Sequence, residues 1–200
     1  MARKRKVPPH TTLLLCDHIT SKTNTTANIG IKCLHFSRNV MLSAGVSRIG
    51  KTRVVFIDPG AKVNSSYYCN IVLEKVLLPD IRAICLHYRW TLQQDGAPAH
   101  TARTTMDYLK KEHINFIEPH MWLPNNPDIN PVDYAIRGAL QKRVYHQRQL
   151  KTVEELKRAI VTEWHKLSQR FIGNSINEWR RRLEAVIKNG GEHIEHCNLA

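Results

Sequence analysis

Cysteine is scarce in this sequence, and no two cysteines form a C-x-x-C pair. The five cysteines are odd in number and scattered, which is typical of reduced intracellular thiols and excludes a disulfide-rich secreted scaffold. Long apolar runs are lacking too: none approaches the roughly 20 residues that span a bilayer, and residues 13–16 are too short a stretch for a signal peptide. Glycine-rich phosphate loops and nucleophile motifs around serine or cysteine are also absent. We therefore expect an intracellular chain with neither a membrane partner nor a small-molecule substrate.

Acidic residues are outnumbered by basic ones. The chain has 30 Lys and Arg residues against 17 Asp and Glu residues, which gives a net charge of +13 and a pI near 9.8. This charge favours a polyanionic partner, with nucleic acid as the default candidate, although a soluble basic protein without such a partner has the same composition. Apolar residues make up 42% of the chain, enough for a folded core. The basic segment ARKRK at residues 2–6 fits a nuclear import signal and equally a solvated chain end.

The sequence pattern changes near residue 39. Residues 1–38 are rich in Thr, Asn, Ser and Lys without periodicity, which predicts an irregular arm. Residues 39–196 alternate strand-like and helix-like segments, which predicts a mixed α/β sheet with flanking helices and a C-terminal helical extension. The predicted strands are 40–46, 52–58, 90–94 and 114–119. The predicted helices are 64–81 (ended by Pro79), 101–112 and 132–146. Two further helices are predicted to begin at the capping boxes Thr152–Glu155 and Ser175–Glu178.

Two acidic residues stand at the boundaries of predicted elements. Asp95 follows the strand WTLQQ and precedes a turn, whereas Asp133 falls in the first turn of a helix that Asn130 caps. Turn formation explains Asp95, and a favourable helix dipole explains Asp133, when each is taken alone. As a pair, carboxylates gathered from distant sequence repel each other unless a cation lies between them. Two Mg²⁺ or Mn²⁺ ions about 4 Å apart support phosphodiester cleavage and transfer, so the pair predicts a metal-dependent site acting on nucleic acid.

The segments around these acids resemble the mariner-type transposases, members of the RNase H-like DDE/DDD recombinases. QQDGAPAH (93–100) resembles the family's second-carboxylate motif and PNNPDINPVD (124–133) its third, with 37 residues between the two acids. The resemblance runs from about residue 38 to the tail INEWRRRLEAVIKNGGEHIEH. It implies an RNase H-like catalytic domain over residues 39–196, with Asp95 and Asp133 as catalytic metal ligands for two Mg²⁺ (or Mn²⁺) ions. It also implies that His100 is an auxiliary residue that positions strand or metal.

The same resemblance carries expectations about partners and function. It implies DNA as the partner, cut-and-paste DNA transposition as the function and the nucleus as the location, and it leaves a homodimer open. A second interpretation stays open beside it: a non-catalytic nucleic-acid-binding or dimerising remnant of a transposable element. Arg180, Arg181 and Arg182 fit contacts with a DNA backbone and equally the solvated face of the last helix.

The family's first catalytic aspartate has no clear match. In the family it lies on the first strand, in an Asp-Glu motif followed by an aromatic residue, and KVPPHTTLLLC (6–16) resembles the linker after that strand. We therefore expect a sheet that lacks its first strand, a catalytic domain truncated at its N-terminus, and no transposition by this chain alone. Asp17 is the only nearby substitute for the missing acid, but its neighbours Cys16 and His18 do not match the motif.

Overall fold

The computed structural model of the protein describes residues 11–16, 21–22, 39–121, 127–146, 148, 150–191 and 194. The strands are β1 (Thr11–Cys16), β2 (Ser21–Lys22), β3 (Asn39–Val40), β4 (Leu42–Val46), β5 (Val55–Phe56) and β6 (Trp90–Gln93). The α-helices are α1 (Ser65–Tyr67), α2 (Leu78–Cys85), α3 (Pro98–Thr101), α4 (Arg103–Lys111), α5 (Gly138–Tyr145), α6 (Val153–Lys166) and α7 (Gln169–Lys188). π-Helical segments cover Tyr68–Leu77 and Val132–Arg137, and 3₁₀ turns cover Pro119–Met121 and Pro127–Ile129. Asp17 and the basic segment at residues 2–6 lie outside the described residues.

The main sheet of the described residues has the strand order β5-β4-β1-β6. β1 runs antiparallel to β4, with Leu14 opposite Val46, and parallel to β6, with Leu14 opposite Gln93. Beyond β6, Phe116 forms a parallel bridge with Leu92, in the last segment that the sequence predicts as a strand. The predicted hairpin is confirmed by the antiparallel pairing of β4 with β5. The mixed α/β class predicted from the sequence is therefore confirmed.

The central position of β1 corrects two expectations. Residues 11–16 belong to the segment predicted as an irregular arm, yet they form a strand that pairs along both of its edges. The sheet also has a strand ahead of the hairpin, so the expected lack of a first strand is wrong. The physical reason is that the partners of β1, residues 44–46 and 90–93, are remote in sequence. Local composition does not report pairing over such separations.

The helix predicted to end at Pro79 continues instead to Cys85 through α2. The π-helical segment just before it explains why. Its last turn is wide, since the N–H of Leu78 donates to the carbonyl of Leu73, five residues back. In an ordinary α-helix the proline ring clashes with the carbonyl four residues earlier, and a widened turn relieves that clash.

The last helix also begins earlier than the sequence predicts. α7 starts after Ser168, whose side chain caps the N–H of Phe171, so Ser175 lies inside the helix. The hydroxyl of Ser175 donates to the Phe171 carbonyl at 3.0 Å, a bond that serine makes in helix interiors in place of capping. By contrast, the capping box of Thr152 and Glu155 at the start of α6 is confirmed in both of its hydrogen bonds.

Helices pack on both faces of the sheet. One apolar cluster joins β4 to α5 and α6 and contains the fully buried Trp164, and the other joins Leu92 of β6 to the π-helical segment Tyr68–Leu77, α2 and α4. These layers hold the strands rigidly, and β6 ends between them. Within the described ranges, every helix is too short or too polar to cross a membrane.

Candidate active site

Asp95 lies just past the end of β6, where the chain turns into α3. Its Oδ1 accepts a hydrogen bond from the backbone N–H of Ala97 at 2.9 Å and contacts Nδ1 of His100 at 2.6 Å. An ionised carboxylate only accepts hydrogen bonds, so Nδ1 of His100 is the donor in this contact. The Asp95 side chain is 33% exposed. The carboxylate is thus held in place by two donors while part of its surface still meets solvent.

His100 is buried and forms the inner wall of the site. Its side chain is 3% exposed, and its ring lies on Tyr68 with 4.3 Å between the ring centroids. The hydroxyl of Tyr68 in turn accepts a hydrogen bond from the amide of Gln94, the residue before Asp95. Tyr68 and Gln94 therefore hold the His100 ring in the orientation that contacts Asp95. The sequence pointed to His100 only through its place in QQDGAPAH, and it gave no signal for Tyr68.

A cavity of about 180 Å³ opens beside Asp95. It is lined by the turn after β6, by His100 and Thr101 of α3, and by Met106, Ile117 and Pro119. The lining therefore combines polar groups, the carboxylate of Asp95 among them, with the apolar side chains of Met106, Ile117 and Pro119.

Asp133 is placed by the start of the helix that ends as α5. The side chain of Asn130 accepts from the N–H of Val132 at 3.1 Å, and the Asn130 carbonyl accepts from the N–H of Asp133 at 2.9 Å. This confirms the predicted cap. The Asp133 side chain is 24% exposed and lies 4.0 Å from the guanidinium of Arg137, one turn further along the helix. A salt bridge of that length near the surface contributes little to stability, so the carboxylate is not committed to Arg137.

The elements that carry the two acids both adjoin β1. β6 pairs with β1 along its length, and the segment Val132–Arg137 comes within 8 Å of β1 between Cα atoms. Because β1 and β6 are parallel, their carboxyl ends lie at the same edge of the sheet. The fold thus places β6 (residues 90–93) and the helical turn that carries Asp133 next to the same strand, β1 (residues 11–16).

The chain is similar to known proteins in both sequence and fold. No family model matches the chain. The Tc3 transposase of Caenorhabditis elegans is 30% identical over 161 residues, which cover 78% of this chain and 46% of that protein. The catalytic domain of the Mos1 mariner transposase matches with a TM-score of 0.70 at 19% identity, over 96% of this chain and 87% of that one. The resemblance to mariner-type transposases is confirmed.

The fold of the chain is that of the Mos1 catalytic domain, and hence RNase H-like as predicted. A Mos1 paired-end complex with Mg matches with a TM-score of 0.73 at 20% identity, over 96% of this chain and 58% of that one, and a further Mos1 complex contains Mn. The chain spans about half the length of the Tc3 transposase.

The donor atoms of this transposase-like site fit a hard divalent cation. Asp95 and Asp133 offer carboxylate oxygens, the donor type that Mg²⁺ and Mn²⁺ prefer, and both side chains are partly exposed. In the part of the chain that the structure describes, no group of three His, Cys, Asp or Glu side chains is placed to hold a metal ion.

The three consecutive arginines of the transposase-like domain do not share one surface. Arg180 pairs with Glu184 at 3.2 Å and Arg181 with Glu178 at 3.3 Å, and both are exposed on α7. Arg182 instead turns inward, towards the segment that carries Asp133. Sequence reasoning grouped the three because they are adjacent, although successive helical residues point about 100° apart.

Beside Asp133, burial raises the pKa of Tyr134 well above its usual value, while the guanidinium of Arg182 over its ring opposes that rise. Tyr134 therefore stays a neutral hydrogen-bond donor over the physiological pH range.

Proposed function

We propose that this chain is a metal-dependent DNA-processing domain that cleaves phosphodiester bonds and transfers DNA strands. The observation that carries the proposal is the placement of Asp95 and Asp133 on two elements that both adjoin β1. Carboxylates that meet at one edge of a sheet repel each other unless a cation compensates their charge, and we infer that Asp95 and Asp133 meet in this way. The Mos1 complexes with transposon-end DNA and with Mg or Mn support the same conclusion for a related fold.

Asp95 and Asp133 would hold the cations, two Mg²⁺ or Mn²⁺ ions as in the predicted family chemistry. When bound, such ions activate a water or a 3′-hydroxyl and stabilise the leaving oxygen of the phosphodiester. The role of the protein's own residues is to position the two acids and the DNA. His100 and the Ala97 N–H hold the Asp95 carboxylate, Asn130 holds the turn of Asp133, and the basic surface binds the phosphate backbone.

We further propose that Asp17 supplies the third acid. It follows Cys16, the last residue of β1, directly in sequence, and Asp95 follows the end of β6 by two residues. Leu14 is opposite Gln93 in a parallel register, so the carboxyl ends of β1 and β6 lie side by side at one edge of the sheet. The expectation that the chain is inactive rested on the missing first catalytic aspartate. Because β1 is part of the sheet, activity depends on whether Asp17 acts as the third acid, although its neighbours Cys16 and His18 do not match the family's motif.

The test is nicking of supercoiled plasmid DNA by the full 200-residue chain, in Mg²⁺ or Mn²⁺. Asp95→Asn and Asp133→Asn should each abolish nicking, and Asp17→Asn should lower it by orders of magnitude. Asp107→Asn is the matched control, because Asp107 is exposed on α4 and pairs only loosely with Arg103 at 3.9 Å.

Other outcomes decide among the alternatives. Wild-type nicking that Asp17→Asn leaves unchanged would refute the role of Asp17 alone. DNA binding that is salt-sensitive and indifferent to every one of these substitutions, with no nicking by the wild type, would instead establish a non-catalytic remnant. Sedimentation of the same preparation tests the predicted homodimer, and a reporter fused to residues 2–6 tests the nuclear location.

A further inference from the structure

Helix α7 contacts the chain on both sides of Asp133, and these contacts have no role in the predicted chemistry. On the near side α7 meets the 3₁₀ turn Pro127–Ile129, and on the far side it meets Tyr134. Asp133 lies in the short stretch between the two contacts. A helix far along the sequence therefore determines where this acid is held.

The near-side contact centres on Asp128, which is fully buried. Its backbone carbonyl accepts a hydrogen bond from Nη1 of Arg182 at 3.2 Å. Its side-chain Oδ2 accepts from the backbone N–H of Ile194 at 2.9 Å. The next residue, Ile129, packs in an apolar cluster with Val186 of α7 and with Ile194. Hydrogen bonding and apolar packing together hold the turn before Asp133.

The far-side contact centres on Tyr134. Its hydroxyl donates to the carbonyl of Ser175 in α7 at 2.5 Å. The guanidinium carbon of Arg182 lies 3.9 Å from the centroid of the Tyr134 ring, close enough for a cation–π interaction.

Arg182 takes part in both contacts. Its planar guanidinium lies over Tyr134 and donates to the Asp128 carbonyl, a combination of stacking and directed donation that lysine does not reproduce. We propose that Arg182 is a positioning residue for Asp133: it braces the turn from Asp128 to Tyr134 against α7 and so sets the affinity of the site for its metal. This inference rests on the proposed function, since it treats Asp133 as a metal ligand. In this proposal Arg182 braces the protein and is no longer one of the three arginines predicted to contact DNA.

The experiment compares Arg182→Ala and Arg182→Lys with Arg170→Ala in the full chain. Arg170→Ala is the matched control because it removes the same charge from the same helix at an exposed position. Two quantities are measured: the Mn²⁺ concentration for half-maximal plasmid nicking, and the hydrogen-exchange rates of the backbone amides at residues 130–137. Tyr134→Phe, which removes only the hydroxyl bond to Ser175, is a milder second variant if Arg182→Ala does not fold.

Arg182→Ala should raise the half-saturating Mn²⁺ concentration about tenfold or more, the usual effect of removing a residue that orients a metal ligand. It should also speed amide exchange at residues 130–137, while Arg170→Ala leaves both unchanged. Arg182→Lys should show nearly the same rise in half-saturating Mn²⁺ concentration and nearly the same faster amide exchange as Arg182→Ala. Unchanged Mn²⁺ dependence in Arg182→Ala, with or without faster exchange, would overturn the proposal and leave a packing role only. If the wild-type chain does not nick DNA, the proposed function fails, and Mn²⁺ binding by calorimetry together with the exchange rates still decides the role of Arg182.

Discussion

Replacement of His100 by phenylalanine separates the positioning of Asp95 from the packing of the fold. The substitution removes the Nδ1 donor, which lies 2.6 Å from Asp95 Oδ1, but keeps an aromatic ring against Tyr68. We expect His100→Phe to fold and to lose most of its nicking activity. His100→Ala should lose activity to the same extent and lose stability as well, because it also deletes the ring contact.

The magnitude follows from the hydrogen bond that is lost. A hydrogen bond to a charged group contributes about 1.5–3 kcal/mol, and each 1.36 kcal/mol corresponds to a factor of ten in rate. If this energy serves to hold Asp95 in place, its loss slows nicking about 10- to 150-fold. The backbone N–H of Ala97 still donates to Asp95 in the variant, which argues for the lower part of this range.

The assay is the rate of plasmid nicking over a series of Mn²⁺ concentrations, paired with the temperature of thermal unfolding. His165→Phe, at an exposed position of α6, is the control for introducing phenylalanine in place of histidine. The reasoning is refuted if His100→Phe nicks DNA at the wild-type rate, because the contact with Asp95 then contributes nothing to the reaction. Equal loss of stability in His100→Phe and His100→Ala would refute the separation of the two roles.

Two predictions concern the fold that supports the site. Trp164→Phe removes the indole donor that bonds the buried carbonyl of Thr52 at 2.8 Å, so the free energy of unfolding should fall by about 1–3 kcal/mol. Denaturant titration measures it, and a loss below about 0.5 kcal/mol would contradict the expected penalty for an unsatisfied buried carbonyl. Glu163 has a lowered pKa, caused first by its hydrogen bond from Arg148 and then by that from Lys166. A carboxylate with a lowered pKa contributes stability that is complete above its ordinary value near 4.5 and is lost as the pH falls through the lowered value. Thermal unfolding of Glu163→Gln should therefore depend less on pH below about 5 than that of the wild type, and parallel curves would contradict this.

The sequence by itself determined the local structure near the two acids and predicted their chemistry. Asp95 was predicted at the end of a strand, and β6 ends two residues before it. The cap of Asn130, the first-turn position of Asp133 and the capping box at Thr152 were all predicted and are confirmed. Each of these features depends on residues within a few positions of one another, because hydrogen bonds at helix ends are made between near neighbours.

Only the tertiary structure decided the position of β1 and the long-range packing around the two acids. The strand at residues 11–16 exists because residues 44–46 and 90–93 are brought alongside it, which no local pattern specifies. The packing of Tyr68 on His100 and the brace of Arg182 on Asp128 and Tyr134 likewise join residues that are 32 or more positions apart. Chain packing fixes such contacts, because the free energy of a buried contact depends on which side chains the whole fold brings together.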